Sequence, residues 1–342
     1  MKILLSSYVF SPSVGGIETV SALLAPEFVR AGHDVILVTT TKQDDGKSWP
    51  FEVHRNPTPA KFIELMRWCD VFYQNNISLN LAWPLLFVPR PWVISHSTWI
   101  DRLSLNGNLR SQLKRSLLKY GTNITISRVV ADDISVTSTI AGNPYSDRVF
   151  QQIPGISRDH ELVYLGRLVS DKGVDLLIQS LVDLRKLGLS PRLTIIGSGP
   201  AESGLRLMAA NLGVEAQITF TGSKAPFEIA RLLNTHLVMV VPSLWPEPFG
   251  IVVLEGLGSG CAVVAAKAGG LPEVLGPCGL LFEMGNRKAL TQALHIMLTQ
   301  PEMRQKFLEH AEQHLNQFKA ATVASRYLQV FERAIHKAQS SC

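Results

Sequence analysis

The sequence predicts an α/β chain built as two doubly wound parallel-sheet domains, and three observations carry that expectation. The chain has 342 residues, 46% of them hydrophobic, which is more than one core ordinarily holds. Short runs rich in Val, Ile and Leu alternate with longer stretches of helical spacing, the pattern of buried parallel strands covered by helices. Two such series are separated by NPYSDRVFQQIPGISRDHE at 143–161, which is punctuated by Pro, Gly and Ser and has weak periodicity.

In the first series KILLSS (2–7), DVILVTT (34–40), WVISH (92–96) and NITIS (123–127) read as strands. In the second, ELVYLG (161–166), RLTIIG (192–197), QITFTG (217–222), HLVMVVP (236–242) and CAVVAA (261–266) repeat the pattern. The expected division is a first domain at 1–150, a second at 151–320 and a C-terminal helix at 321–342, with a hinge near 145–160. From about 301 the apolar spacing is helical (Met303, Phe307 and His310, then Leu328, Phe331 and Ile335), and this tail can pack on either domain.

Composition narrows the function classes. Cys69, Cys261, Cys278 and Cys342 form no CxxC pair, which argues against a disulfide framework or a zinc site and for a reducing, cytoplasmic setting. MKILLSSYVFSPSVGG reads as a first buried strand rather than an export signal. No run of 18 apolar residues occurs, so no spanning helix is expected, while attachment to the inner face of a membrane stays open. An NAD-dependent dehydrogenase wants GxGxxG after its first strand, and SPSVGGIETV (11–20) lacks that spacing.

Open α/β sheets bind ligands beyond the carboxyl ends of their strands, which singles out four loops. Gly15 and Gly16 lie between the first strand and an amphipathic helix, where backbone N–H groups can approach an anion. In LGRLVSDKG (165–173), Arg167 and Lys172 put two cations on a strand-to-helix loop, suited to a diphosphate or else to a solvated face paired with Asp171. IIGSGPAE (195–202) brings Gly197, Gly199 and Pro200 ahead of a helix, which is also ordinary turn chemistry. In EPFGIVVLE (247–255), Pro246 and Pro248 keep helix from starting before 249, so Glu247 sits in the loop while Glu255 projects from the helix's second turn. Glu247 reads equally as a helix-dipole partner; Glu255 lies in an apolar stretch and needs a buried partner, which sugar hydroxyls would supply.

These stretches resemble the retaining glycosyltransferases of the GT-B fold that carry an E-x7-E motif (glycosyltransferase family 4, glycosyl transferases group 1). EPFGIVVLE fits that motif, and GGIE, YLGRLVSDKGVDLLI, IIGSGP, VPSLWPEPFG and AVVAAKAGGLPEVL extend the likeness over most of the chain. The resemblance implies two Rossmann-like domains facing across a cleft, the first for the acceptor and the second for a nucleotide sugar. It gives Arg167 and Lys172 to the diphosphate, Glu255 to the ribose hydroxyls and Glu247 to the donor sugar. Pro248, Phe249, Gly250 and Ile251, with Gly197, would line the donor; Gly15 and Gly16 would close over the phosphates, and His96 would stand near the reacting sugar. It implies a UDP-sugar, glucose or a relative, and a saccharide or lipid-linked saccharide acceptor in cell-surface polysaccharide or glycolipid synthesis. No cofactor and no metal are expected, since Arg, Lys and helix dipoles supply the positive charge. The DD pairs at 44–45 and 132–133 read as a loop and a helix surface, not as a D-x-D. One departure is Gly285–Asn286, where the family commonly has Gly–Asp. Two alternatives stay beside this reading: a non-catalytic sugar-nucleotide-binding protein, which the motifs do not exclude, and a GT-B sugar-nucleotide epimerase, which has the same two-domain shape but whose own acid/base set is not found in the sequence.

A separate signal lies in NLRSQLKRSLLKYG (108–121). Leu109, Leu113, Leu117 and Leu118 form one helical stripe among Arg110, Lys114, Arg115 and Lys119, with no acid between them. This is either a helix packed on its own sheet or a surface for anionic lipid. The formal net charge of +5 fits both. Nucleic acid is not expected, because no aromatic interleaving accompanies the charge.

Overall fold

The computed structural model describes residues 1–340 except Val14, Asp45 and 101–108. The chain forms two compact units, Met1–Pro144 with Phe318–Cys342, and Tyr145–Gln317. Each is built on one wholly parallel sheet.

The first unit's strands are β1 (Lys2–Ser7), β2 (Asp34–Thr39), β3 (Glu52–Arg55), β4 (Val71–Asn75), β5 (Trp92–His96), β6 (Thr122–Thr125) and β7 (Ser138–Ile140), in the order β3-β2-β1-β4-β5-β6-β7. Three of these are not evident from pattern alone. β3 and β7 are short edge strands with partly exposed side chains, so they lack the apolar run of a buried strand. β4 follows the helix Pro59–Trp68 so closely that its VFY continues the helix's apolar pattern.

The helix Ala320–Gln339 packs on this first unit. Its buried residues Val323, Tyr327, Val330, Phe331 and Ala334 recur at helical spacing. Tyr327 and Phe331 meet Tyr73 at ring-centroid distances of 5.7 and 5.1 Å, and Phe331 meets Phe28 at 5.4 Å. Arg326 Nη1 also donates to Ala141 O at 3.0 Å.

The second unit contains β8 (His160–Leu165), β9 (Leu193–Ile196), β10 (Ile218–Gly222), β11 (His236–Val241), β12 (Ala262–Ala266) and β13 (Gly279–Phe282), in the order β10-β9-β8-β11-β12-β13. The segment read as a hinge is seated on this unit. Tyr145 and Phe150 are buried, Ile153 N donates to Asn234 Oδ1 at 2.8 Å, and Arg158 Nη1 donates to His236 O at 3.0 Å.

In each sheet the order reverses once, between β1 and β4 and between β8 and β11, and the loops leaving the strands at such a switch diverge to leave a crevice. The loops after β8 and β11 are the ones that carry Arg167, Lys172 and Glu247. Cys69, Cys261 and Cys278 are buried free thiols, and Cys342 lies outside the described residues. Among the described residues no helix is long and apolar enough to cross a membrane.

Candidate donor site in the second unit

After β8 the chain passes Gly166 and Arg167, makes a short 3-10 turn at Ser170–Lys172, and enters the helix Val174–Lys186. Close approach to the loop after β11 dictates the turn's last residue. Gly173 has φ +67°, and a Cβ there would stand 2.0 Å from Pro242 O. Leu244 N donates to Asp171 O at 2.9 Å, so backbone clasps the two loops together.

Side chains complete the clasp. Lys172 Nζ reaches Glu247 Oε1 at 2.5 Å, and Ser243 Oγ donates to the same oxygen at 2.7 Å. The pair is partly buried, with side-chain exposures of 26% for Lys172 and 14% for Glu247, where water screens it less than at an open surface. Arg167 is exposed, and its guanidinium has no partner among the described residues. Beneath it Tyr164 donates its phenol to Arg167 O at 3.0 Å; burial first, then the carboxylates of Glu247 and Asp171, push that phenol's pKa up. Lys172 and Glu247 thus meet on loops that are neighbours because β8 pairs with β11, and Arg167 lies on the first of these loops.

The EPFG segment is shaped from below by the glycines of AKAGG. Gly269 has φ +59°, a Cβ there would lie 2.1 Å from Glu247 O, and Gly270 N donates to that oxygen at 2.7 Å. Phe249 turns its ring into the core, and Gly250 adopts φ +107° as the residue before the helix Ile251–Gly258. The first N–H groups of that helix have no carbonyl partner within it and carry its positive dipole end. Pro248 and Ile251 flank this turn, half-buried.

Glu255 stands in the second turn. By accessible surface the residue is half-buried, while its carboxyl group is surrounded by protein atoms. It has no hydrogen-bond or ion-pair partner among the described residues, and burial alone pushes its pKa from 4.5 up to about 7. A carboxyl so placed is costly to ionise until a ligand donates hydrogen bonds to it.

The remaining candidates divide by unit. Gly197 belongs to the second, but a Cβ on it would lie 1.9 Å from Gly166 O, and one on Gly199 would lie 2.3 Å from Leu168 O. The room these glycines make is therefore filled by the Arg167 loop, which they seat. Pro200 precedes its helix, which begins at Glu202.

In the first unit, Gly15 and Gly16 lead into the helix Gly16–Arg30, and Asn75 at the end of β4 donates to Ile17 O at 2.9 Å and Ser21 Oγ at 2.7 Å. His96 ends β5, buried, with Nε2 3.0 Å from Asn123 Oδ1. Asn123 Nδ2 donates to Leu118 O and Gly121 O, so Oδ1 accepts and His96 Nε2 carries the proton. Burial lowers the His96 pKa, which keeps the ring neutral with Nδ1 as an acceptor. Ser243, Tyr164, Gly173, Gly269 and Asn75 were not singled out from sequence: Gly173, Gly269 and Asn75 matter through partners far along the chain, and Ser243 and Tyr164 through a loop conformation that no local pattern records.

Helix Leu109–Leu117 has no buried residue, and Asn108 lies outside the described residues. The four-leucine stripe splits: Leu118 is buried in a following 3-10 turn and Leu117 packs on the core, whereas Leu109 and Leu113 are exposed. Leu86, Phe87 and Tyr120 are exposed as well. Arg110 Nη2 donates to Asn80 Oδ1 at 2.8 Å, joining this helix to the turn before Leu86. Arg115, by contrast, is held by Asp133, donating to its backbone oxygen at 2.6 Å and to Oδ1 at 3.1 Å. Asp44 pairs with Arg55, and Asp45 lies outside the described residues. No group of three or more His, Cys, Asp or Glu side chains able to hold a metal occurs among the described residues.

Comparison with known proteins adds family to this geometry. Residues 146–314 match the family described as Glycosyl transferases group 1. D-inositol 3-phosphate glycosyltransferase of Corynebacterium glutamicum is 30% identical over 237 residues, covering 67% of this chain and 56% of that protein. A GDP-mannose-dependent alpha-(1-6)-phosphatidylinositol monomannoside mannosyltransferase of Mycolicibacterium smegmatis is 32% identical over 48% of this chain and 45% of its own length. The chain thus spans about half the length of these curated relatives. Anabaena HepE, solved in complex with UDP-glucose, superposes with a TM-score of 0.78 at 20% identity over 100% of both chains. WaaG, a glycosyltransferase involved in lipopolysaccharide biosynthesis, does so with 0.72 at 16% identity, over 96% of this chain and 99% of its own. The shared architecture is the GT-B fold of two parallel-sheet α/β domains.

Proposed function

We propose that this chain, whose residues 146–314 carry the Glycosyl transferases group 1 domain, is a retaining glycosyltransferase. It moves a hexose from a nucleotide diphosphate sugar, UDP-glucose or a relative, to a saccharide or lipid-linked saccharide acceptor in cell-surface polysaccharide or glycolipid synthesis. The observation that carries the reading is the meeting of Lys172 with Glu247 at the second sheet's switch point, on a loop that also carries the exposed Arg167.

The roles are those the resemblance implies, and the charges of the groups are consistent with them. Arg167 and Lys172 take the diphosphate, the N–H groups around Phe249–Ile251 take what lies between it and the sugar, Glu255 accepts from the ribose hydroxyls and Glu247 from the sugar's. Negative charge grows on the departing diphosphate as its bond to the sugar breaks, and fixed cations there stabilise the oxocarbenium-like state. The acceptor oxygen bonds to the anomeric carbon on the face the diphosphate leaves, and the acceptor's proton passes to the departing phosphate oxygen. Arg167, Lys172 and the helix N-terminus supply the positive charge, so the reaction is written without a metal. The first unit takes the acceptor, with Gly15 and Gly16 offering backbone N–H groups to phosphate and His96 Nδ1 a hydrogen-bond acceptor.

The test is titration calorimetry with UDP, GDP and ADP, followed by hydrolysis of UDP-glucose and GDP-mannose without acceptor. Binding of one nucleotide diphosphate in the micromolar range and slow hydrolysis of its sugar are expected, with Arg167→Ala losing about tenfold or more in affinity. Binding without turnover or transfer would leave a sugar-nucleotide-binding protein, and release of an epimerised sugar would leave an epimerase.

A contact with anionic membrane completes the proposal, supported by exposed Leu109 and Leu113 on the helix that carries Arg110 and Lys114, with Lys119 in the turn after it. Because Arg115 is engaged by Asp133, the informative variant neutralises Arg110, Lys114 and Lys119 only. It is expected to weaken the vesicle-binding constant, read by sedimentation with phosphatidylglycerol vesicles, by on the order of a hundredfold, at about 1 kcal/mol for each cation near the surface, with donor hydrolysis unchanged. Unaltered sedimentation would return the helix to a solvated basic face.

A further inference from the structure

Glu247 offers two carboxylate oxygens, and the protein treats them unequally. Oε1 receives both Lys172 Nζ at 2.5 Å and Ser243 Oγ at 2.7 Å, while Oε2 has no partner among the described residues. Ser243 is only 2% exposed and sits four residues before Glu247, at the very end of the strand-to-loop passage after β11. Its hydroxyl is thus a fixed donor in the protein interior, whereas Lys172 is a long, flexible side chain that a diphosphate can draw away.

We propose that Ser243 is a positioning residue that holds Glu247 Oε1 so that Oε2 is presented to the donor sugar, independently of where Lys172 goes. The inference rests on the donor-site reading above. A glutamate has three rotatable bonds, and without a second anchor its carboxylate would follow the Lys172 ammonium when that cation turns toward phosphate. With Ser243 in place the carboxylate stays whether Lys172 keeps one N–H on Oε1 and offers two to the diphosphate or turns all three toward it. The arrangement lets a single carboxylate align both ends of the scissile bond, one directly through Oε2 and the other through Lys172. Preorganisation of this kind is read in the rate of bond breaking more than in ground-state affinity.

Ser243→Ala and Ser243→Thr provide the test, with the parent protein as reference. Free nucleotide diphosphate affinity is measured by calorimetry, and the kcat and KM for hydrolysis or transfer are measured with the donor the parent accepts. Ser243→Ala is expected to lower kcat by about 10- to 30-fold, the loss of one hydrogen bond to a charged group, with nucleotide diphosphate affinity held within about twofold. Ser243→Thr, which keeps the hydroxyl, is expected to recover kcat to within about threefold of the parent. A kcat retained by Ser243→Ala, an equal loss in kcat and nucleotide affinity, or a folded Ser243→Thr that fails to recover would each overturn the positioning role. A parent protein that binds none of the nucleotide diphosphates would instead overturn the donor-site reading itself, and Ser243 would fall with it.

Discussion

Glu255→Gln is expected to make the second unit more stable at pH 8, by on the order of 2–3 kcal/mol, while weakening nucleotide diphosphate binding by about tenfold or more. The stability half follows from linkage. The carboxyl has a folded pKa of about 7 against 4.5 ordinarily, so between those values the folded state holds the proton more tightly than the unfolded chain. Stability contributed by this group is therefore greatest below pH 4.5 and declines as pH rises to about 7, beyond which the ionised, unpartnered carboxylate costs its full amount. A glutamine of the same volume does not ionise, so the variant and the parent should match near pH 4.5 and separate as pH rises.

Other groups move with pH in the same range, and His236 moves oppositely. Burial lowers its pKa from 6.5 to about 4, so its neutral folded form loses stability as pH falls through that window. That contribution is common to parent and variant and cancels in their difference. Urea unfolding at pH 4.5 and 8 is the measurement. A difference that is the same at both values would show that the Glu255 carboxyl is not destabilised by burial.

The functional half has a matching pH signature. Ribose hydroxyls donate best to the ionised carboxylate, so the parent's nucleotide affinity should fall as pH drops below about 7, and the variant's should stay flat over the same interval. A site that costs stability until its ligand arrives is the expected compromise between folding and binding.

The second large effect concerns the Lys172–Glu247 pair. Read from sequence, the two residues serve different ends of the donor, and Glu247→Gln should leave affinity for the free nucleotide unchanged. The ion pair changes that expectation. In the ligand-free protein the ammonium is largely neutralised by Glu247, so removing the carboxylate charge leaves a bare cation facing the diphosphate. Glu247→Gln is accordingly expected to raise free nucleotide diphosphate affinity by about three- to tenfold and to lower transfer strongly, since the sugar contact is lost. Lys172→Ala should lower both, with transfer down by about a hundredfold to a thousandfold, because a cation facing the leaving group is removed and the carboxylate is left uncompensated. Calorimetry and steady-state transfer on the two variants decide it. Shifts of free-nucleotide affinity in the same direction would mean that the pair does not face the diphosphate.

Much of the molecule was legible in its sequence because the signals are local. A buried parallel strand is a continuous apolar run, a helix start is marked by Pro and Gly, and the loop after a strand holds the chemistry; LGRLVSDKG and EPFGIVVLE sit where those rules put them. The edge strands β3 and β7 escaped because half-exposed short strands have no such run, and β4 escaped because its apolar residues merge with the preceding helix.

Sequence by itself determined two parallel-sheet domains, the loops that bear the candidate donor groups and the resemblance from which their roles were proposed. Tertiary structure decided how those groups meet. Pairing of β8 with β11 brings Lys172 to Glu247 across 75 residues and lets Ser243 share the same oxygen; Asp133 claims Arg115; and the last helix, whose apolar stripe fits any sheet face, packs on the first unit through Tyr73 and Phe28. The physical reason is common to all of these. Periodicity and turn chemistry reflect each residue's near neighbours along the chain, whereas strand order and long-range packing depend on which distant surfaces fill one another's space, and no local pattern records that.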